Sequence, residues 1–393
     1  MTLAERNPFR CRGTELPVPL LVMAKAIAIC TLLHLYPQFI PSPFLPFWSP
    51  IDWIERALPE AIRLVLILSY AGSAAALLLN WHVRAASFLL GVTILLALLG
   101  NRVFFSNTLT FVAAMLILTG LYHPRSGPVL VRSQVVIVYF GAALHKVLDP
   151  DWRDGSFFEN WMGTEVRNTA YIWLSSLLPE MAFARLVSWA TIALEFVLVG
   201  FFLVRRLWPA AIWISLIFHC VITLSTGERF YFFYGIQAAM LAFVAWPQRL
   251  LVIYDGDCGI CNRIRRFWQR IDFDRLFTWQ PLQSDVGATF GLPKATLAES
   301  LHFVAGDTVT RGFRACKRML QYHPATWLTL AALIAMPRLA DNAYYRAAII
   351  LGALAFFLPV TEPAGERVYR WVARNRYRFS SKSTCAVDLP SSR

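Results

Sequence analysis

The strongest constraint on this chain is a series of apolar stretches in its first 247 residues. Runs near 17–36, 63–80, 85–100, 107–122, 129–147, 182–204, 208–226 and 230–246 approach the roughly 17–25 residues that an α-helix needs to cross a bilayer. Hydrocarbon offers no partner for backbone polar groups, so such runs are read as helices. Composition agrees: 57% of the residues are hydrophobic and 16% charged, against roughly 45–50% and 25% in soluble domains. Disorder is excluded, and a single soluble globule is disfavoured. The predicted architecture is a multi-pass α-helical membrane bundle of about 8 spans over residues 17–247, preceded by a short segment, residues 1–16.

The net charge is +13, unevenly spread: +9 over residues 248–393 and +4 over the first 247. Arg6, Arg10, Arg12, Arg84, Arg125, Arg205, Arg206 and Arg249 fall on one side of an eight-span bundle. The opposite side holds the acidic loop from Asp149 to Glu180. Positive residues favour the cytoplasm, so both termini are predicted there, in a bacterial inner membrane. Arg102 and Arg229 run against the pattern. The first sixteen residues are polar and Pro-rich, unlike a signal peptide. Basic and aromatic residues together raise nucleic-acid binding. The aromatics, however, lie mainly in or beside the apolar runs, and the arginine-rich tail suits anionic lipid. Membrane lipid is therefore expected as a partner, and nucleic acid is not.

After Trp246-Pro247 the pattern changes. Leu250–Tyr254 reads as a buried strand, and Asp255–Gly259 as a turn. The apolar residues Ile260, Ile264, Phe267, Trp268 and Ile271 recur at helical spacing. Leu276–Trp279 is a second strand ended by Pro281. Leu301–Val304 and Thr308–Thr310 form a hairpin about Gly306, and Phe313–Tyr322 is a helix. This β-α-β-α-β-β-α order defines a compact α/β domain over residues 248–380, with a disordered tail at 381–393. Trp327–Ala335 is too short to span, and Ala347–Val360 fits a buried or interfacial helix.

Seven cysteines, at 11, 30, 220, 258, 261, 316 and 385, form no secreted disulfide framework. Cys258 and Cys261 alone are close neighbours. Two cysteines three apart at a helix start close a small redox ring. The helix N-terminus and the nearby Arg263, Arg265 and Arg266 favour a thiolate at the first. Cys258, facing outward, is the expected nucleophile and Cys261 the resolving thiol. Asp257 is placed to cap the helix, and Asp255 to relay protons or hold the turn. Half of a zinc site, inert core cysteines and a degenerate remnant are the alternatives. Zinc lacks a second pair beyond His302 and Cys316, so no metal is expected.

The segment Tyr254-Asp-Gly-Asp-Cys-Gly-Ile-Cys261 resembles the signature of the DCC family of thiol-disulfide oxidoreductases. Val368-Tyr-Arg-Trp-Val-Ala-Arg-Asn-Arg376 resembles that family's C-terminal box. The resemblance implies a thioredoxin-like core with the redox role on Cys258 and Cys261. Thioredoxin-like sites carry a cis-proline beside the disulfide. Here no proline directly precedes Leu301, and Pro281 and Pro293 are imperfect candidates.

Ionisable residues inside spans are costly and functional or paired. Lys25, Glu195 and His219 lie mid-span, and His145 and Lys146 end the fifth run. A structural pairing of Lys25 with Glu195, and a snorkelling Lys146, are the bland readings. Tyr139–Gly155, with Lys146 ahead of Asp149-Pro-Asp-Trp152, resembles the membrane domain shared by vitamin K-dependent γ-carboxylase and bacterial relatives. Phe218-His219-Cys220 resembles a later motif of that domain, without its following asparagine. The resemblance implies a quinone cofactor, menaquinone or vitamin K-like, near Lys146 and His219, with Lys146 as the base and Trp152 as a supporting residue.

Three functions follow as expectations. The first is a membrane oxidoreductase with a cytoplasmic dithiol and a quinone-like cofactor in the bundle. Its two centres lie at opposite faces, so their coupling requires a mobile quinone. The second is a carboxylase-like enzyme acting on a peptide or small substrate. The third is a non-catalytic redox-sensing scaffold.

Overall fold

The computed structural model describes residues 6–35, 59–100, 106–226, 234–284, 286–336, 348–349, 352–353, 355–358 and 361–376. The expected tail at 381–393, Cys385, Arg102, Arg229 and much of the 347–360 run lie outside these residues. The chain divides into two compact units. One holds Gly13–Val244 and the other Ala245–Leu330, the latter joined by Phe9–Arg12 and the residues from Ile349 onward.

The first unit is helical: α1 (Val18–Cys30), α2 (Pro59–Leu78), α3 (Val83–Gly100), α4 (Asn107–Gly120), α5 (Val129–Leu148), α6 (Ala182–Leu203) and α7 (Trp208–Thr226). Four segments are long and apolar enough to cross a membrane: Ala61–Leu78, Val129–Leu148, Ala182–Leu203 and Arg205–Thr226. The count of eight is therefore not reached among the described residues. Val18–Leu33, Val83–Leu99 and Asn107–Gly120 are shorter apolar helices. The described residues of the last run, from 234 onward, include one short helix, Tyr234–Ala239, and a 3-10 turn, Met240–Phe243. Glycines bring α3 and α4 together: a Cβ on Gly120 would lie 2.6 Å from the Phe88 Cβ. Only a residue without a side chain admits that approach. Ser87 adds a buried hydrogen bond to the Leu116 carbonyl at 2.8 Å.

Burial along the later helices follows the 3.6-residue period. The buried stripe on α5 is Val131, Val135, Tyr139 and Ala143. On α6 it is Ala184, Ser188, Ile192, Glu195, Leu198 and Phe202. On α7 it includes Ala211, Ser215 and His219. Outward positions are apolar too, with Ile137, Leu186 and Val221 more than half exposed to the surroundings. A helix apolar all round suits a lipid environment.

The second unit is built on β1 (Leu250–Tyr254), α8 (Gly259–Ile271), β2 (Phe277–Pro281), α9 (Lys294–Glu299), β3 (His302–Ala305), β4 (Thr308–Arg311) and α10 (Gly312–Gln321). The sheet order is β2-β1-β3-β4, with β1 and β2 parallel and the other pairs antiparallel. This is the element order read from the sequence, with a four-residue helical turn, Val286–Thr289, added before α9. Leu250, Val252, Phe277, Phe303 and Met319 form the core on one face. Ile253, Val304, Leu282 and Leu297 form it on the other. The alternation is the period-2 pattern of a sheet covered on both faces. α11 (Pro324–Ile334) is, as expected, too short to span. α12 (Glu362–Asn375) packs on α10, where Glu366 accepts from the Phe313 N–H at 2.9 Å.

The segment Phe9–Arg12 belongs to this second unit. The Asp274 carboxylate accepts the N–H groups of Cys11, at 2.6 Å, and Arg12, at 3.1 Å. Arg10 lies 3.6 Å from it. Phe9 stacks on Phe273, and Arg12 donates to the Gln248 carbonyl.

Candidate functional site: a dithiol and a buried ion pair

The dithiol sits where β1 turns into α8. Cys258 is the N-cap of α8, and Cys261 lies in its first turn. Asp255, ending the strand, folds the turn: its carboxylate accepts the Asp257 N–H at 3.0 Å and the Gln283 amide at 3.2 Å. Gln283 also donates to Asp257 at 2.8 Å. Asp257 is therefore not the helix cap expected from its position, because Gln283 engages its carboxylate. Asn262 fastens the loop from the helix side through the Gly256 and Cys258 carbonyls.

α12 supplies two residues. Arg376, just past its end, lies 3.4 Å from Asp255 and donates to the Ala298 carbonyl at 2.8 Å. Tyr369 accepts the Leu301 N–H at 2.8 Å, directly before β3. Composition and spacing did not single out Gln283, Asn262, Tyr369 or Arg376. The signal available for Tyr369 and Arg376 was their place in the C-terminal box.

Both cysteines are free thiols. Cys258 is fully buried rather than facing outward, and Cys261 is partly buried. The Cys258 thiol is lowered to about 6, chiefly by the hydrogen bond from Cys261. The backbone N–H groups of Cys261 and Ile260 and the Arg376 charge act in the same direction, while burial opposes them. The same hydrogen bond, with burial, pushes Cys261 far up. At pH 7 a group ionising near 6 holds roughly ten thiolates per thiol. Burial pushes Cys316 up to about 11, which leaves it inert by comparison. His302 sits on β3 with Nδ1 against the Ser300 carbonyl. No cluster of three or more metal-ligating side chains occurs among the described residues.

The second cluster lies in the helical unit. Tyr139, Ala143 and Lys146 share a face of α5 at i, i+4 and i+7. Lys146 Nζ donates to both Glu195 oxygens at 2.9 Å. The side chains are only 16% and 7% exposed. The alternative pairing of Lys25 with Glu195 is not the one formed: Lys146 takes Glu195, and Lys25 donates to the Pro8 carbonyl at 2.6 Å. Lys146 also lies 4.9 Å from the centre of the Trp152 ring.

Local sequence places that tryptophan. Asp149 accepts the Asp151 N–H at 3.0 Å and caps a one-turn helix, Pro150–Asp154. Gly155, at φ +88°, ends the helix in the left-handed region. Arg185 and Trp189 of α6 donate to the Asp154 and Arg153 carbonyls. Trp152 stacks on Phe157 at 4.3 Å between ring centres. His219, on α7, takes the Ser215 carbonyl at 2.8 Å, and the Tyr139 hydroxyl bonds Ser215 Oγ at 2.6 Å. The Tyr139 and His219 rings meet edge to face. Lys146 thus meets both Glu195 and Trp152. His219 is tied to Tyr139 on the Lys146 face of α5. His145 is exposed.

Fold and clusters together define a helical membrane protein carrying a small dithiol domain. Residues 252–350 match the DCC1-like thiol-disulfide oxidoreductase family. Residues 123–245 match the HTTM domain, the carboxylase-like membrane domain. The chain thus joins an HTTM domain to a DCC1-like domain, in that order. It is similar to the uncharacterized protein YuxK of Bacillus subtilis strain 168, 25% identical over 150 residues, which span 37% of this chain and 90% of that protein. No solved structure matches.

Proposed function

We propose that this protein is a membrane thiol-disulfide oxidoreductase in which Cys258 is the nucleophile and Cys261 the resolving thiol. The observation that carries this reading is the placement of the dithiol, with Cys258 as the N-cap of α8 and Cys261 in its first turn, where the hydrogen bond between them lowers Cys258 and raises Cys261. The sheet order and the dithiol at the start of α8 support a thioredoxin-like core. Cys258 thiolate attacks one sulfur of a substrate disulfide, forming a mixed disulfide and expelling a substrate thiolate. Cys261 then gives up its proton and attacks Cys258 Sγ. The substrate leaves as two thiols, and the protein retains the Cys258–Cys261 disulfide. Cys261→Ser tests the order of events. A mixed disulfide accumulating on Cys258 supports it, and attachment at Cys261 in the Cys258→Ser variant instead would overturn it.

In the bundle, the side chains suit a quinone-like head group. Among the described residues, Ser188 Oγ, fully buried on the Glu195 face of α6, has no hydrogen-bond partner. Lys146, His219 and Ser188 would hold polar atoms, and Trp152 a ring. When bound, a quinone supplies a two-electron, two-proton couple. Glu195 and Lys146 face each other as acid and base. Transfer of one proton across the 2.9 Å contact would leave a neutral pair, with the amine as base and Glu195 as the proton store. Native mass spectrometry of purified protein tests the site: a bound quinone lost in Lys146→Met supports it, and equal occupancy in both opposes it. Carboxylase-like chemistry on a peptide or small substrate is the alternative use of this lysine. A product heavier by one CO₂ would distinguish it.

The packing of Phe9–Arg12 within the dithiol unit supports an even number of crossings between them. With the arginine bias, it supports a cytoplasmic dithiol in a bacterial inner membrane.

A further inference from the structure

α12 is two-sided. Its two acidic residues turn inward: Glu362 pairs with Arg314 and Lys317, and Glu366 binds the Phe313 N–H. Tyr369 also points into the domain, and Arg376 follows the helix on that side. The outer face carries Arg367, Val368, Arg370, Trp371 and Arg374, all exposed. Val368 is 65% exposed and Trp371 60%. Three arginines without an outward acid, interleaved with a tryptophan and a valine, carry positive charge and apolar surface together. Ordinary solvated helix faces mix signs and avoid exposed tryptophan.

We propose that the outer face of α12 docks on the anionic lipid surface of the membrane that anchors the chain. Charge complementarity selects this occupant: guanidinium groups meet lipid phosphates, and Trp371 and Val368 enter the headgroup boundary. A bilayer is within reach of every copy of a membrane-anchored chain. The opposite side of the helix holds Leu301 through Tyr369, and Arg376, just beyond it, meets Asp255 of the dithiol turn. Docking therefore steadies the helix that positions these contacts.

The test uses the full chain in nanodiscs of phosphatidylcholine, with or without phosphatidylglycerol. Hydrogen exchange is read on peptides across 362–375. Phosphatidylglycerol should slow exchange there, and salt should reverse the effect. The triple variant Arg367→Gln, Arg370→Gln, Arg374→Gln should lose the protection, on the order of a hundredfold for three charges beside an anionic leaflet. Glutamine keeps helix propensity, and unchanged exchange across the sheet verifies folding. Trp371→Ala should lose part of the protection with all arginines present. Equal exchange in both lipids overturns the proposal. So does protection that depends on protein concentration rather than on lipid charge, which would assign the face to a second copy of the chain.

Discussion

Replacing Cys261 with alanine removes the thiol whose hydrogen bond contributes most to holding Cys258 at about 6. A hydrogen bond to a charged acceptor is worth about 1.5–3 kcal/mol, and one pKa unit corresponds to about 1.4 kcal/mol. Loss of the donor should therefore raise the Cys258 midpoint by about one to two units, to between about 7 and 8. The helix N-terminus and Arg376 remain, so the midpoint should stay below the ordinary 9.0. Cys261→Ser keeps a hydroxyl donor and should fall between the two. The assay is the pH dependence of alkylation at Cys258, mapped by peptide mass spectrometry. Cys316, ionising near about 11, is a slow internal reference. An unchanged midpoint in Cys261→Ala would refute the reasoning and assign the thiolate to the helix and Arg376.

Other predictions test the same account. Cys258 ionises near 6 when folded against an ordinary 9.0. Its stabilisation of the reduced protein is therefore complete above about 9 and lost as pH falls through about 6. Denaturation midpoints of reduced protein should fall over that window, while those of the disulfide form lack this component. Glu195→Gln leaves the Lys146 ammonium without its counter-charge and should cost about 2–3 kcal/mol, below the full buried-pair figure because Lys146 keeps some exposure. Thermal unfolding in detergent reads this, and Lys146→Met with Glu195→Leu should recover most of it. Gly120→Ala forces the α3 backbone away and should destabilise by about 1–3 kcal/mol in the same assay.

Local pattern made much of this molecule readable. The strands, α8 and the hairpin about Gly306 follow from period and turn chemistry, and the dithiol from its spacing. Contacts between distant residues were not readable. Lys146 meets Glu195 across 49 positions, and either carboxylate or solvent would have satisfied the sequence pattern equally. Asp257 has the chemistry of a cap but lies beside Gln283, a neighbour set by the return of β2. Cys258 reads as exposed because helix N-termini usually are, yet here it is buried. Helix lengths within apolar runs also escaped the reading, since nothing in 230–246 announces that the helix ends at Ala239 and continues as a 3-10 turn.

The most direct test of the central claim is a redox titration of the full-length protein in lipid, with quenched thiols read by mass spectrometry. One reversible two-electron transition is expected, in which Cys258 and Cys261 lose two hydrogens together while Cys316 stays reduced. Thiols that persist under oxidising conditions, or a disulfide joining either residue to another cysteine, would contradict it.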